Sequence, residues 1–250
     1  GLRTQPSWAF RRVFNAPPAK ISGGLLRYKS FFAQIAGSLD KGHIWLLVGS
    51  GERADLPYPG EAANADENNR LYVVIDKDRF EQQWLPPYTL PPMAPALPMV
   101  TQGDLDDLSN TAACSSLTGP GYSFMVADGE KFVTRSNIFA GLAIAATFTP
   151  LSNAANVCGA KGDGVLYIFD LLCGKGWFDD GAGNPTRGLD IGLGFPTDPQ
   201  VSTGVGGADN RIYIEKSSSS DEGGGSELFS LEAPDLDLEN AGLIYWREIQ

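Results

Sequence analysis

Three stretches of the chain repeat one local pattern, and that repetition constrains the fold more than any other feature. "NNRLYVVID" (68–76), "GDGVLYIFD" (162–170) and "ADNRIYIEK" (208–216) each place an Asn/Asp/Gly turn before an apolar-Tyr-apolar run. Asn, Asp and Gly tolerate the dihedrals that reverse a chain, while β-branched and aromatic residues fill a pleated surface, so each copy reads as a turn feeding a strand. The strand signature stays constant while the preceding loop varies in length, as in a stack of similar sheets whose insertions go to one rim. Tyr72, Tyr167 and Tyr213 mark the repeated strand, and Asp170 and Gly174 mark the turn that closes the second copy.

The remaining sequence supports an all-β chain. Thirty glycines and 17 prolines, with only 20% charged residues, favour many short strands over long helices. Strands are expected at 25–36 and 43–48, around a turn-forming insert at 37–42, and then at 69–76. Further strands are expected at 104–110, 122–127, 131–139, 142–149, 165–171, 211–216, 228–231 and 243–248. "LPPYTLPPMAPALP" (85–98) cannot donate to a central ladder and reads as extended or polyproline-like. The chain therefore divides into a first blade-like module at 1–84, a Pro-rich connector at 85–100 and the remaining blades at 101–250. About ten to twelve strands, four to a blade, make about three blades, fewer than the four to eight that close a propeller. Open sheet edges invite aggregation, so further blades are expected upstream of residue 1 or from another chain.

Charge and motifs exclude several functions. A net charge of −11 disfavours nucleic acid and anionic membrane as partners. No apolar run reaches the length of a spanning helix, and Gly1 to Pro6 reads as a cut point rather than a signal peptide. The sole histidine, His43, opens an apolar strand and forms no triad; nucleophile-elbow, phosphate-loop, dinucleotide and zinc spacings are absent. The chain is thus read as non-enzymatic, with no catalytic residue and no cofactor of its own. Cys114, Cys158 and Cys173 allow one internal disulfide. Cys158–Cys173 is the preferred pair, at the two ends of one strand-and-loop segment, with Cys114–Cys158 as the rival. Lys161-Gly162-Asp163 is read as a β-turn rather than an integrin-type tripeptide, and Ser217 to Ser226 as a flexible spacer.

Several segments together resemble one family. "WAFRRVFNAPPA" (8–19), "HIWLLVGSGERADLPYPGEAANADENNRLYVVIDKD" (43–78), "DLDDLSN" (104–110), "GEKFVTRSNIFAGLAIAATFTP" (129–150), "CGAKGDGVLYIFDLLCGKG" (158–176) and "LIYWREI" (243–249) resemble, collinearly, the C-terminal half of the PilY1/PilC family of type IV pilus tip-associated adhesins and biogenesis factors. "LYIFDLLCGK" (166–175) also resembles the docking motif of quinoprotein propellers, with Cys173 in the Thr position; there the Asp and the glycine turn tie one blade to the next.

The resemblance implies a modified β-propeller with quinoprotein-like blades, of which this chain is an incomplete portion. It also implies export to the pilus tip, cell surface or outer membrane through the periplasm, where a disulfide is permitted. Implied partners are minor or major pilins and a host or abiotic surface, met through rim loops at 52–68, 85–100, 150–163 and 174–204 or by strand addition at an open edge. The family's calcium loop belongs to an earlier blade, so calcium is expected outside this segment. Asp104, Asp106 and Asp107 are the calcium candidates here, but Leu108 and Ser109 stand where such a loop needs a ligand and a glycine. Asp235, Asp237 and Glu239 likewise lack the glycine, and Trp246 replaces the closing Glu. The alternative from another class is a portion of a quinoprotein-like propeller dehydrogenase; a third is a structural piece completing another chain's propeller.

Overall fold

Period-two alternation of side chains sets which sheet faces meet. The computed structural model describes residues 12–20, 26–40, 42–53, 68–76, 99–150, 162–203, 210–217 and 226–232. The early strands are β1 (Phe14–Asn15), β2 (Pro18–Lys20), β3 (Leu26–Tyr28), β4 (Ala36–Asp40), β5 (His43–Gly49), β6 (Arg70–Asp76) and β7 (Val100–Thr101). A 3₁₀ turn at Gln102–Asp104 precedes β8 (Asp106–Asp107), β9 (Gly121–Met125), β10 (Lys131–Phe132), β11 (Asn137–Phe139), β12 (Leu142–Pro150) and β13 (Gly162–Asp170). The chain continues through β14 (Phe178–Asp179), β15 (Pro185–Thr186), β16 (Gly188–Leu193), β17 (Gln200–Ser202), β18 (Arg211–Ser217) and β19 (Ser226–Glu232). No α-helix occurs among the described residues.

Three principal sheets form. The first runs β4-β5-β6-β9-β8, the second β10-β12-β13-β16 with β11 also on β12, and the third β17-β18-β19. Trp45, Leu47, Leu71, Val73, Ile75, Tyr122 and Phe124 of the first sheet share one core with Phe132, Ala143, Ala145 and Phe169 of the second. The opposite parity of the second sheet, Leu142, Ile144, Ala146, Leu166 and Ile168, packs with Ile212 and Ile214 of the third. The far face of the first sheet buries Val48, Tyr72 and Val74 under Val13, Phe14 and Val100. The sheets are therefore stacked face to face in chain order; the central strands β6 and β12 are buried on both sides, whereas β18 is buried only toward the second sheet. That double burial explains near-continuous apolar runs such as Leu71 to Ile75.

The repeat is imperfect. Tyr72 and Tyr167 both face the layer that precedes their own sheet. In the third sheet Ile212 and Ile214 take that inward direction, so Tyr213 points the opposite way and is not the equivalent marker. A one-residue offset flips every side chain of a strand, and "RIYIE" is offset in this sense relative to "VLYIF".

Other expectations are corrected by backbone detail. Residues 37–40 of the expected insert are not a turn but belong to strand β4, and the reversal is confined to the hairpin closing at Asp40 and His43, with Gly42 at φ 80. The stretch expected at 104–110 is a 3₁₀ turn and a two-residue strand, because Asp104 caps the turn by accepting from Thr101 N and Oγ1 at 2.8 and 2.7 Å. Residues 131–139 form two short strands rather than one; between them Thr134 Oγ1 donates to Ala146 O at 2.9 Å. The span 174–204 is not an open loop, since β16 is the fourth strand of the second sheet; only Ile191 of β16 is buried, which hides its strand signal. Gly162 and Asp163 already belong to β13. The connector does not separate modules, because β6 before it and β9 after it are neighbours in one sheet. The expectations at 85–98, 218–225, 235–239 and 243–249 lie outside the described residues.

The face assignment in β18 is directly testable. Ile212→Ala should cost about 2–5 kcal/mol, as expected for emptying a core position, whereas Tyr213→Ser should stay within about 1 kcal/mol, as for a surface change. Denaturant midpoints check both, and equal losses would refute the assignment.

Candidate functional site

The first two sheets are fastened at both ends of their seam, and the fastenings gather the polar chemistry of the described residues. At one end β13 stops at Asp170, whose Oδ1 accepts from the N–H of Leu172 and Cys173 at 2.8 and 3.0 Å. The Gly174 N–H closes the turn onto Asp170 O at 2.9 Å, with Gly174 at φ 70. A Cβ there would lie 2.6 Å from Leu108 Cδ1, so glycine is required both by conformation and by the approach of the first sheet's loop. The fully buried Tyr122 of β9 reaches the carbonyls of Asp170 and Leu171 at 3.2 and 3.0 Å. Burial, and secondarily the charge of Asp170, push its phenol pKa up against the opposing effect of Arg187.

Arg187, between β15 and β16, completes this end. Its Nε donates to Gly174 O at 2.7 Å, Nη1 to Leu108 O at 3.1 Å and Nη2 to Thr111 O at 2.5 Å. Its guanidinium carbon lies 4.6 Å from the centroid of the Phe124 ring. Burial pushes its pKa down, yet arginine remains a cation, held here by three main-chain carbonyls and an aromatic face. The loop between β8 and β9 is also bonded to the turn through Gly176 N to Ala112 O at 2.8 Å and Ser115 N to Cys173 O at 3.2 Å. Cys114 and Cys173 form a disulfide with α-carbons 5.0 Å apart. This corrects the expected Cys158–Cys173 pair: the turn after Asp170 faces the first sheet's loop, which brings Cys114 within bridging distance. Cys158 lies outside the described residues.

At the opposite end, Glu130 is buried where Asn69 Nδ2 donates to its main-chain oxygen at 2.8 Å. Its carboxylate accepts from Ala127 N at 2.9 Å, from Thr147 Oγ1 and from Tyr167. Burial raises its pKa despite these bonds. Ser50 and Phe132 join the two sheets beside it through Phe132 N to Ser50 O at 3.2 Å.

The calcium candidates do not converge. Asp104 is held low by Thr101, and its carboxylate is spent on that cap. Asp106 accepts from Thr118 N, Thr118 Oγ1 and Gly119 N at 2.7, 2.7 and 3.0 Å; burial raises its pKa, but these bonds outweigh it. Asp107 caps Ser109 and pairs with Arg70 at 3.2 Å, with the same net lowering against burial. No cluster of three metal-ligating side chains exists among the described residues. Tyr72 donates to Gln102 Oε1 at 2.8 Å under the first layer. His43 Nδ1, Asp40 Oδ2 and Trp45 Nε1, at one hairpin, are shut from solvent and have no hydrogen-bond partner among the described residues.

Sequence reasoning missed Arg187, Tyr122 and Glu130. Arg187 sits in a Gly- and Asp-rich stretch that reads as a rim loop, and "DGE" reads as an exposed turn; neither carries a sign of burial. Only the buried run "GYSFMV" around Tyr122 held a usable signal.

The chain matches no protein-family model and no curated protein. Among solved structures it is similar to the crystal structure of the Pseudomonas aeruginosa PilY1 C-terminal domain, with a TM-score of 0.52 and 14% identity. The match covers 87% of this chain and 48% of that one, so the chain spans about half the length of that domain. At this identity the likeness is one of fold.

Two outcomes follow from the seam. Arg187→Met should lose about 2–4 kcal/mol, because it leaves buried carbonyls unpaired while removing a cation from the interior; an unchanged unfolding midpoint would overturn the role given to its hydrogen bonds. Glu130 has a raised folded-state pKa, so its contribution is full below the ordinary value of 4.5 and is lost as pH rises through the folded value. Glu130→Gln should therefore gain on the wild type as pH rises above 4.5; parallel stability–pH curves would contradict this sign.

Proposed function

We propose that this chain is part of a β-propeller of a type IV pilus tip-associated adhesin and pilus biogenesis factor, exported and non-enzymatic. The observation that carries the reading is the fold likeness to the PilY1 C-terminal domain over 87% of the chain. The collinear segments, from "HIWLLVGSG" to "LYIFDLLCGKG", support it independently of the fold. Stacked sheets that present loops at their rims suit a scaffold that offers variable contacts to pilins or to a surface.

Exposed apolar side chains at both ends of the stack support membership of a larger propeller. Phe31, Phe32, Ile35 and Leu39, beside or on the first sheet, are 39, 52, 54 and 38% exposed. A further sheet against that end would remove this apolar surface from water. The outer face of the third sheet carries Ser202, Arg211, Tyr213, Glu215, Ser230 and Glu232, with Arg211 and Glu232 paired at 3.1 Å, and also Leu228, opposite Glu215 and 65% exposed.

The test is a pull-down of the folded chain against purified minor and major pilin ectodomains. Retention of a minor pilin that is lost on shortening the exposed tip between β14 and β15, residues 180–184, is the expected result. A folded chain that retains no pilin, or that reduces a dye with added quinone, calcium and an alcohol substrate, would overturn the proposal.

A further inference from the structure

The Cys114–Cys173 bridge spans 59 residues and joins the first sheet's rim loop to the turn that ends β13. Between the two cysteines lie β9, which is hydrogen-bonded to β6 in the first sheet, and β10 to β13, the greater part of the second. A pull applied to the chain on either side of the bridge passes from residue 114 directly to residue 173. We infer that the disulfide is a load shunt: tension along the chain bypasses β9 to β13 and is borne by the elements outside them.

The surroundings of the bridge fit that role. Ser115 N to Cys173 O and Gly176 N to Ala112 O lie on either side of it. Arg187 ties the same loop and turn together through Leu108 O, Thr111 O and Gly174 O. The bridged segments are thus already held in register without the sulfurs, and the covalent link adds resistance to extension rather than the geometry itself. The third sheet has no such link to the second among the described residues. Its fastenings to the second sheet among the described residues include Lys216 Nζ to Ile191 O at 2.5 Å, Arg135 N to Asp198 Oδ1 at 2.7 Å and the Ile212 and Ile214 core. Under load the elements outside the bridge yield first and the stapled segment persists.

Cys114 is exposed and Cys173 half-buried, so a small dithiol reaches the bond. The reaction passes two electrons from the dithiol, which closes to its own disulfide, to the Cys114–Cys173 bond, leaving two thiols. The inference does not depend on the pilus reading, since it follows from chain topology alone.

Single-molecule stretching of the full chain, with handles at its two ends, tests it. At about 3.6 Å per residue, opening the 59-residue bridge adds about 210 Å of contour length. The oxidised chain should reach its full extension about 210 Å short, and dithiol added under load should release that length in a separate, later event. A release of about 160 Å would instead assign a Cys114–Cys158 bridge, and about 54 Å a Cys158–Cys173 bridge, from separations of 158 − 114 = 44 and 173 − 158 = 15 residues. Either of these lengths overturns the inference, as does an oxidised chain with the same extension as the reduced one. Because the wild-type chain is folded before reduction, the test does not rely on Cys114→Ser folding.

Discussion

The seam between the first and second sheets depends on a buried guanidinium. An arginine inside a β-stack is tolerable only if its donors are met and its charge faces polarisable groups. Arg187 meets both conditions with carbonyls from Leu108, Thr111 and Gly174 and with the ring of Phe124. Those carbonyls belong to two loops for which the guanidinium is a shared donor, and Leu108 O also accepts from Thr111 N at 3.3 Å. Each satisfies the other: the loops need a donor, and the arginine needs acceptors.

This explains why Asp170, Gly174 and Tyr122 cluster as they do. Asp170 holds the turn, Gly174 lets it approach Leu108, and Tyr122 bonds the carbonyls the turn leaves open. The opposite end uses a different device, a buried carboxylate surrounded by hydroxyl and amide donors. Between the ends, the packing is aromatic, with Phe124, Phe132, Tyr167 and Phe169 in mutual contact at centroid distances from 5.3 to 5.9 Å.

Much of the all-β architecture was legible because central strands buried on both faces announce themselves as apolar runs. β6, β12 and β13 are of this kind, and the expected ranges fall within one to three residues of the observed ones. Edge strands were not legible: β4 reads "AGSLD" and β16 reads "GLDIGL", whose small and charged residues look like turns although the backbone pairs normally. The repeat of tyrosines misled at Tyr213, since a pattern of residue types carries no information about which face a partner sheet will take. The rim chemistry was hidden for a deeper reason. Arg187 contacts residues 13 to 79 positions away, and no local pattern encodes an interaction of that span.

The same span orders events during folding. Residues 108–118 of the first sheet's rim have no guanidinium to anchor them until residue 187 has joined the chain and β13 has found β12, so their anchoring belongs to a late, non-local step. In a chain made or exported from its N-terminus, Cys114 meets Cys158 before it meets Cys173. Correct bridging is then a matter of sequence arriving in time: the native pairing depends on the Asp170 turn being built before the first available thiol is captured.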